Sequence, residues 1–499
     1  MTSRREFLQS AGGALATGRR PPNILFVFAD QLRSHELGCY GNPHIRTPNL
    51  DRMAAEGVRF TNAVSTFPLC SPFRAMLMTG KYPMANGMTV NDHRLNAGLP
   101  SFAHACRQAG YRTGYIGKWH LDGHGREQFI PKERRLGFEF WMALECTHQY
   151  FKSLYYEGDS EQPHYWEGYD AVAQTRAAQR YIREHASQGP FALFLSWGPP
   201  HNPYIAPDEF MQRYAPPKMT LRANTADRSA FEFLARNTKT RLPADREKTR
   251  ASLRRQWSDE NFVRKAYAGY YAAIECLDSL VGDLRQTLAE KGILDDTIFV
   301  FTSDHGDMLA SHGLIEKAVP YEEAISIPFL IRYPRRIRGG RVTDTLLAPI
   351  DIMPTLLSLA SVACPRVDGL DLSGHATGAG GRERDALLLM ALTPPAVSWV
   401  HAGAEPWRGV RTKTHTYARF ADGRPWLLFD NLKDPHQMEN GIEKPQLKRL
   451  REAMEKRLRE LLEEAGDPCD TRAIVDAVLR VHPDHALLKS ARDANPERL

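Results

Sequence analysis

Three short stretches of the 499-residue chain carry residue types that can do chemistry. The first is Cys70-Ser71-Pro72-Phe73-Arg74, just ahead of a predicted helix over Ala75 to Thr79. A thiol near a helix N-terminus meets partial positive charge, which favours anions and a thiolate nucleophile. The alternative reading is an inert, buried cysteine. The other two stretches end apolar runs: Asp30-Gln31, and Ser303-Asp304-His305-Gly306-Asp307. Two strands ending in Asp beside a neutral donor make a candidate divalent-cation site. Carboxylates and an amide oxygen suit Ca²⁺, and an imidazole moves the preference toward Mn²⁺. Taken alone, each Asp could equally cap the following helix.

These residues need a scaffold that brings strand ends together. Asn23 to Ala29, Phe191 to Trp197, Thr297 to Thr302 and Pro328 to Ile331 are short continuous apolar runs. Such runs read as strands buried on both faces of a parallel sheet. Helical patterns fall between them, at Ser101 to Ala109 and Ala266 to Lys291. The alternation predicts an α/β fold with a large, mainly parallel or mixed sheet flanked by helices. Ligands in such sheets bind beyond the carboxyl ends of the strands. Residues 208–264 are polar, basic and rich in helix formers, which reads as a surface insertion with a solvated face or as a lid. A Gly, Ala and Thr stretch at 376–381 reads as a linker. Beyond it, Gly409 to Lys413 and Trp426 to Asp430 read as antiparallel strands. Pro445 to Glu464 reads as an amphipathic helix with Leu447, Leu450, Met454, Leu458 and Leu461 on one stripe, stopped by Gly466 and Pro468. The expected organisation is a tail over 1–20, a catalytic domain over 21–380 and a C-terminal α+β subdomain over 381–499.

Cys70-x-Pro72-x-Arg74, continuing into Thr79-Gly80, resembles the core signature of the sulfatase family. A second motif of that family is matched by Gly110-Tyr111-Arg112-Thr113-Gly114-Tyr115-Ile116-Gly117-Lys118-Trp119-His120. Asp30, His201, Asp304 and Lys317 follow the family's chain order, and Leu428 to Pro435 is similar to its second subdomain. The resemblance implies an alkaline-phosphatase-like fold. It also implies oxidation of Cys70 to Cα-formylglycine (3-oxoalanine) by a formylglycine-generating enzyme before folding. One hydroxyl of the hydrated aldehyde would attack sulfur, and the second would lose its proton to re-form the aldehyde and expel sulfate. By the same resemblance Asp30, Gln31, Asp304, His305 and modified Cys70 would hold the cation. Arg74 would orient the hydrate, Lys118 would bind a sulfate oxygen, and His120 would assist deprotonation of the second hydroxyl. His201, in Pro199-Pro200-His201-Asn202-Pro203, and Lys317 would contact the sulfate and leaving oxygen, one of them as general acid. Each residue also has an ordinary reading as a cap, a loop histidine or a surface lysine.

The chain departs from the family pattern in places. Many members have Asp-Asp at the Asp30-Gln31 position and Asp-Asn at Asp304-His305. The Gln and His pair resembles a branch that includes choline-sulfatase-like enzymes and phosphonate or phosphodiester hydrolases. Phe73 stands where Ser, Thr or Ala is common. Three functions follow for comparison: a sulfuric ester hydrolase, expected on sulfated carbohydrate; a phosphonate monoester or phosphodiester hydrolase of the same fold; and a non-catalytic binder of sulfated glycan. Aromatic and histidine residues at Thr147 to Tyr150 and Tyr155-Tyr156 read as packing before they read as a sugar cleft.

Composition sets the outer bounds. A hydrophobic share of 42%, 25% charged residues and a net charge of +6 describe an ordinary globular protein that fits an anionic ester. The charge is too dilute to predict a nucleic-acid partner. No apolar run reaches the ~20 residues of a membrane span. Seven scattered cysteines give neither a disulfide framework nor a zinc module. Ser3-Arg4-Arg5-Glu6-Phe7-Leu8, followed by a weakly apolar stretch, resembles a twin-arginine export signal and predicts a periplasmic or secreted protein.

Overall fold

The apolar runs form strands that are buried along their length, and one large sheet collects them. The computed structural model describes residues 20–237, 244–394 and 405–494. The resemblance to an export signal lies outside the described residues. Ten strands make the main sheet: β1 (Asn23–Asp30), β2 (Val58–Ala63), β3 (Arg112–Lys118), β4 (Phe140–Leu144), β5 (Leu154–Glu157), β6 (Pro163–Tyr165), β7 (Phe191–Pro200), β8 (Thr297–Ser303), β9 (Phe329–Arg332) and β10 (Arg341–Leu347). Their spatial order is β10-β2-β9-β8-β1-β7-β3-β4-β5-β6. The central strands β8, β1, β7, β3 and β4 are mutually parallel, whereas β9 and β5 run antiparallel to their neighbours. The sheet is therefore mixed, with a parallel centre.

Alternation along β1 explains the layers. Leu25, Val27 and Ala29 face a core shared with helices Asp170–His185 and Glu260–Glu290. Ile24, Phe26 and Phe28 face the opposite core, shared with helices Cys70–Thr79, Phe102–Gln108 and Pro349–Leu359. Successive side chains of a strand point to opposite faces, so an all-apolar strand requires cover on both sides.

A second sheet has four antiparallel strands: β11 (Ala386–Ala391), β12 (Trp407–Thr412), β13 (His415–Phe420) and β14 (Pro425–Asp430). Helix Lys448–Ala465 covers it through Met454, Leu458 and Leu461, and ends on Gly466 in the left-handed region. Two further helices, Thr471–Val481 and Ala486–Ala494, follow.

Several boundaries differ from the sequence reading. The helix after the cysteine begins at Cys70 itself. The long helix starts at Glu260, capped by Asp259, so it absorbs the end of the 208–264 stretch. The other described residues of that stretch form short helices, turns and the helix Ala244–Trp257, and they bury Phe210, Met219, Ala230, Leu234 and Asn224, so they pack as well as meeting solvent. The 376–381 stretch is the end of helix Ser373–Thr377 and a glycine-rich turn. Tyr150 is buried, and Tyr155 stacks on Trp166 at 3.9 Å, which is packing. All seven cysteines are free. Among the described residues no helix is long and apolar enough to cross a membrane.

Candidate active site

Four adjacent parallel strands deliver the site. β1 ends in Asp30, β3 in Lys118, β8 leads into Asp304-His305, and β7 leads into His201. Because β8, β1, β7 and β3 are neighbours, these carboxyl ends share one edge of the sheet. The Cys70–Thr79 helix points its N-terminus at that edge, and all ten of its residues are buried.

Asp30, Cys70, Asp304 and His305 converge, with one donor atom from each lying within 4.8 Å of the others. Cys70 Sγ is 3.3 Å from His305 Nε2 and 3.8 Å from Asp30 Oδ1. His305 Nδ1 meets the Gly306 carbonyl at 3.0 Å, which makes Nδ1 the donor and turns Nε2 toward the cluster. Burial and the adjacent Asp30 charge push the Asp304 carboxyl up. Two buried carboxylates in this position call for a cation between them. The donor set of two carboxylates, an imidazole nitrogen and the residue-70 side chain fits a divalent ion.

Cations of the chain ring the cluster. Arg74, one helical turn past Cys70, reaches Asp30 Oδ2 at 3.3 Å and Asp304 Oδ2 at 3.1 Å through Nη2. Its Nη1 donates to the Lys118 carbonyl at 2.6 Å and to Ser196 Oγ at 2.7 Å. Lys118 Nζ lies 2.5 Å from Asp30 Oδ2 and 3.6 Å from Cys70 Sγ. Burial and the Asp30 charge would each raise the Cys70 thiol. Lys118, Lys317 and His305 outweigh them and hold it well below its usual range.

Lys317 Nζ donates to Gln31 Oε1 at 2.5 Å and to His201 Nε2 at 2.7 Å. His201 Nδ1 meets the Asn202 carbonyl at 2.9 Å. Burial, followed by the Lys317 charge, keeps His201 neutral by pushing it well below its usual value. Gln31 Nε2 donates to Asp307 Oδ2 at 2.7 Å, so the Gln31 amide bridges Lys317 and Asp307. His120 follows β3 with a positive φ, and its Nε2 is 2.9 Å from Asp92 Oδ1. Burial would lower His120, but the Cys146 charge, the Asp92 hydrogen bond and the Cys70 thiol raise it to about 10. Its Nδ1 is buried with no hydrogen-bond partner among the described residues, as is Arg74 Nε. The unpartnered His120 Nδ1, next to residue 70, fits a more polar side chain than a thiol at that position.

All ten residues named from the sequence thus join one buried cluster. Sequence reading gave no site role to several others. Asp92 holds His120, and Glu145 accepts from the Leu121, Asp122 and Gly123 amides, cradling the next turn. Asp307 anchors Gln31 and accepts from Tyr204 at 2.7 Å. Cys146 is a second buried thiol; burial raises it, but Lys118, His120 and His148 outweigh that and bring it to about 5. His148 stacks on His201 at 4.4 Å. The apolar stretch ending Leu144-Glu145-Cys146 was the signal available for Glu145 and Cys146, and His148 lies in the Thr147 to Tyr150 segment that the sequence reads as packing.

Comparison with known proteins identifies the family. The family model described as Sulfatase matches residues 22–362, and that for the N-sulphoglucosamine sulphohydrolase C-terminal region matches 310–464. An ulvan-active sulfatase from Formosa agariphila is 36% identical over 458 residues, covering 90% of this chain and 83% of the relative. A structure solved in complex with its substrate D-glucosamine-2-N,6-O-disulfate superposes with a TM-score of 0.79 at 25% identity, covering 91% of this chain and all of the other. The phosphonate monoester hydrolase of Agrobacterium radiobacter shares the fold, with a TM-score of 0.71 at 23% identity over 89% of this chain and 96% of its own. The fold is the alkaline-phosphatase-like one, and the chain belongs to the sulfatase family of sulfuric ester hydrolases.

Proposed function

We propose that this sulfatase acts on sulfate esters of carbohydrate, with residue 70 oxidised to formylglycine and a divalent cation, Ca²⁺ or Mn²⁺, in the Asp30, Cys70, Asp304 and His305 cluster. The observation that carries the reading is that cluster's convergence at a buried helix N-terminus, ringed by Arg74, Lys118 and Lys317. The two relatives named for ulvan and for a disulfated glucosamine support a sulfated glycan as substrate. Cys70 is 2% exposed, so its conversion by a formylglycine-generating enzyme must precede folding.

Asp30, Asp304 and His305 would hold the cation with an oxygen on residue 70. Gln31, whose amide oxygen also meets Lys317, would complete the set. The bound cation would supply charge to neutralise sulfate oxygens and lower the pKa of a hydroxyl beside it. The hydrated aldehyde would supply one hydroxyl for attack on sulfur and a second for release of sulfate. Arg74 holds the two carboxylates and the Lys118 carbonyl in register, which orients the residue-70 side chain. Lys118 and Lys317 bind sulfate oxygens, in a site where charge is worth more than in water. His120 assists deprotonation of the second hydroxyl through Nδ1 in its neutral form, with Asp92 holding the ring at Nε2. The Lys317–His201 pair supplies the proton at the leaving oxygen, with His201 kept in one tautomer by the Asn202 carbonyl. Export by the twin-arginine route rests on Ser3 to Leu8 and the weakly apolar stretch that follows, and is checked by fractionating cells that express the full chain.

The test uses protein whose residue-70 peptide is confirmed as the aldehyde by mass spectrometry. Sulfated mono- and oligosaccharides, choline sulfate, an aryl sulfate and a matched aryl phosphonate are compared, with and without chelator. The expected result is cation-dependent turnover fastest on a sulfated saccharide and absent in Cys70→Ala. Faster turnover of the phosphonate would move the assignment to a phosphonate or phosphodiester hydrolase. A native protein that retains its thiol and binds sulfated glycan without turnover would make it a binder.

A further inference from the structure

Residues beyond 464 lie outside both family matches, yet they return to the active site. Helices Thr471–Val481 and Ala486–Ala494 form a pair, the first capped by Asp470, which accepts from the Ala473 amide. Val475, Val478, Leu479 and Leu488 close on Val90 to make a small core of their own. Val90 sits in the stretch 88–95, which has no helix or strand and so is fixed from outside. Between the two helices His485 is 4% exposed. Its Nδ1 faces the Leu488 amide at 3.4 Å, and its Nε2 donates to the Asn91 carbonyl at 2.8 Å. The His482 ring lies beside the His93 ring, with centroids 6.1 Å apart.

The neighbouring atoms of the same stretch are in the site. Asn91 Oδ1 accepts from the Ser71 amide at 2.9 Å, in the turn that carries Cys70. Asp92, at a φ of +57°, holds His120 Nε2 and also meets Arg126 at 3.0 Å. Val90, Asn91 and Asp92 therefore join the C-terminal helices to both residue 70 and His120. The opposite wall braces the stretch: Thr393 Oγ1 donates to the Thr89 carbonyl at 3.1 Å, and a Cβ on Gly123 would lie 2.7 Å from the His93 carbonyl carbon. With that side fixed, the helix pair is the element whose loss would free the loop.

We propose that the C-terminal helix pair is a latch that positions the active-site loop, with His485 as its positioning residue. This rests on the sulfatase reading. His485 touches no reacting atom; it holds Asn91, and through that residue the Ser71 turn and the Asp92–His120 pair. Lys118 and Lys317 sit on other elements, and the Arg74 guanidinium is pinned by Asp30, Asp304, Ser196 and the Lys118 carbonyl, so sulfate binding does not depend on the latch. A misplacement of 1 Å in catalytic geometry costs about 10²-fold in rate. Loosening the latch should therefore lower kcat and leave KM alone.

The experiment compares His485→Leu, His485→Gln and Leu488→Ala in the full, metal-loaded chain, with residue-70 conversion matched by mass spectrometry. Assays are run well below each variant's melting temperature. A glutamine keeps an Nε2 donor toward Asn91, whereas a leucine fills the space without one. The expected result is a fall in kcat of about 10- to 100-fold for His485→Leu and Leu488→Ala, with KM within about twofold, and recovery in His485→Gln. Hydrogen exchange is read in parallel: the Ser71 amide and residues 89–93 should lose protection in His485→Leu and keep it in His485→Gln. Wild-type kcat in both disrupted variants, a rise in KM alone, or unchanged exchange would overturn the latch. A wild-type protein inert toward every sulfate ester would instead overturn the sulfatase reading, and the exchange result would still decide the latch.

Discussion

Arg74 shows how much one side chain does at this site. It is fully buried, lies 4.9 Å over the Phe28 ring, and divides its donors among Asp30, Asp304, Ser196 and the Lys118 carbonyl. A lysine offers one compact charge and cannot fork in this way. Arg74→Lys is expected to fold yet lose about 10²–10³ in kcat/KM on a sulfate ester, the scale of removing one preorganised donor. A loss below about threefold would show that the guanidinium geometry is dispensable. The residues that meet at the cluster were legible in the sequence because two of them sit in a five-residue motif and two more in an eleven-residue one. Asp92 was not legible. It lies 28 positions from His120 in an irregular segment whose apolar pattern has no period. Glu145 was hidden for a related reason, since its role is to accept backbone amides, which leaves no trace in the sequence of its partners.

At the scale of elements, continuous apolar runs gave away the central strands, because a strand covered on both faces needs no polar alternation. Strand direction was not readable that way. β9 looks like its parallel neighbours in composition but pairs antiparallel with β8, through Phe299–Arg332 and Thr302–Phe329, because pairing depends on how the chain enters the sheet. β2 and β13 carry mixed burial and were overlooked for that reason. The Gly110-to-His120 motif also has a structural side. Gly110 and Gly117 both have positive φ, at +83° and +101°. A Cβ on Gly110 would meet nothing within 4 Å, whereas one on Gly117 would lie 2.0 Å from the Ser196 carbonyl oxygen on β7. Gly110→Ala is expected to cost about 1 kcal/mol, the conformational term alone. Gly117→Ala must also push β3 from β7, displacing both Lys118 and the Ser196 hydroxyl that Arg74 uses. It should lower the melting temperature by clearly more than Gly110→Ala and reduce kcat at least tenfold, roughly one hydrogen bond's worth of positioning. Equal effects of the two substitutions in thermal melts would show that the close approach is not rigid.

The molecule as a whole is tied together around the site rather than at its periphery. The core of the second sheet includes Phe67, Leu69 and Met76 from the Cys70 region together with Trp407, Trp426 and Leu458. Trp407 Nε1 donates to the Ala318 carbonyl, one residue past Lys317, at 2.9 Å. The 208–264 stretch joins the same assembly through Glu323. Arg222 meets Glu323 at 3.1 Å, and Asn224 bonds Glu323, His312 and the His436 carbonyl. Burial would raise the Glu323 carboxyl, but Arg222, His312 and the Asn224 amide outweigh it and bring it to about 2. A carboxylate depressed below its unfolded value near 4.5 contributes stability that is complete above that pH. The contribution is lost as pH falls toward about 2, because the unfolded chain takes up the proton first. Glu323→Gln leaves the Arg222 charge without its partner and should cost about 3 kcal/mol near neutral pH, the scale for breaking a buried pair. Melting curves from pH 7 downward should show the gap to wild type constant above about 4.5 and narrowing steadily toward about 2. A gap that stays constant through that window would mean the stabilisation comes from shape and hydrogen bonding at Asn224 rather than from the charge.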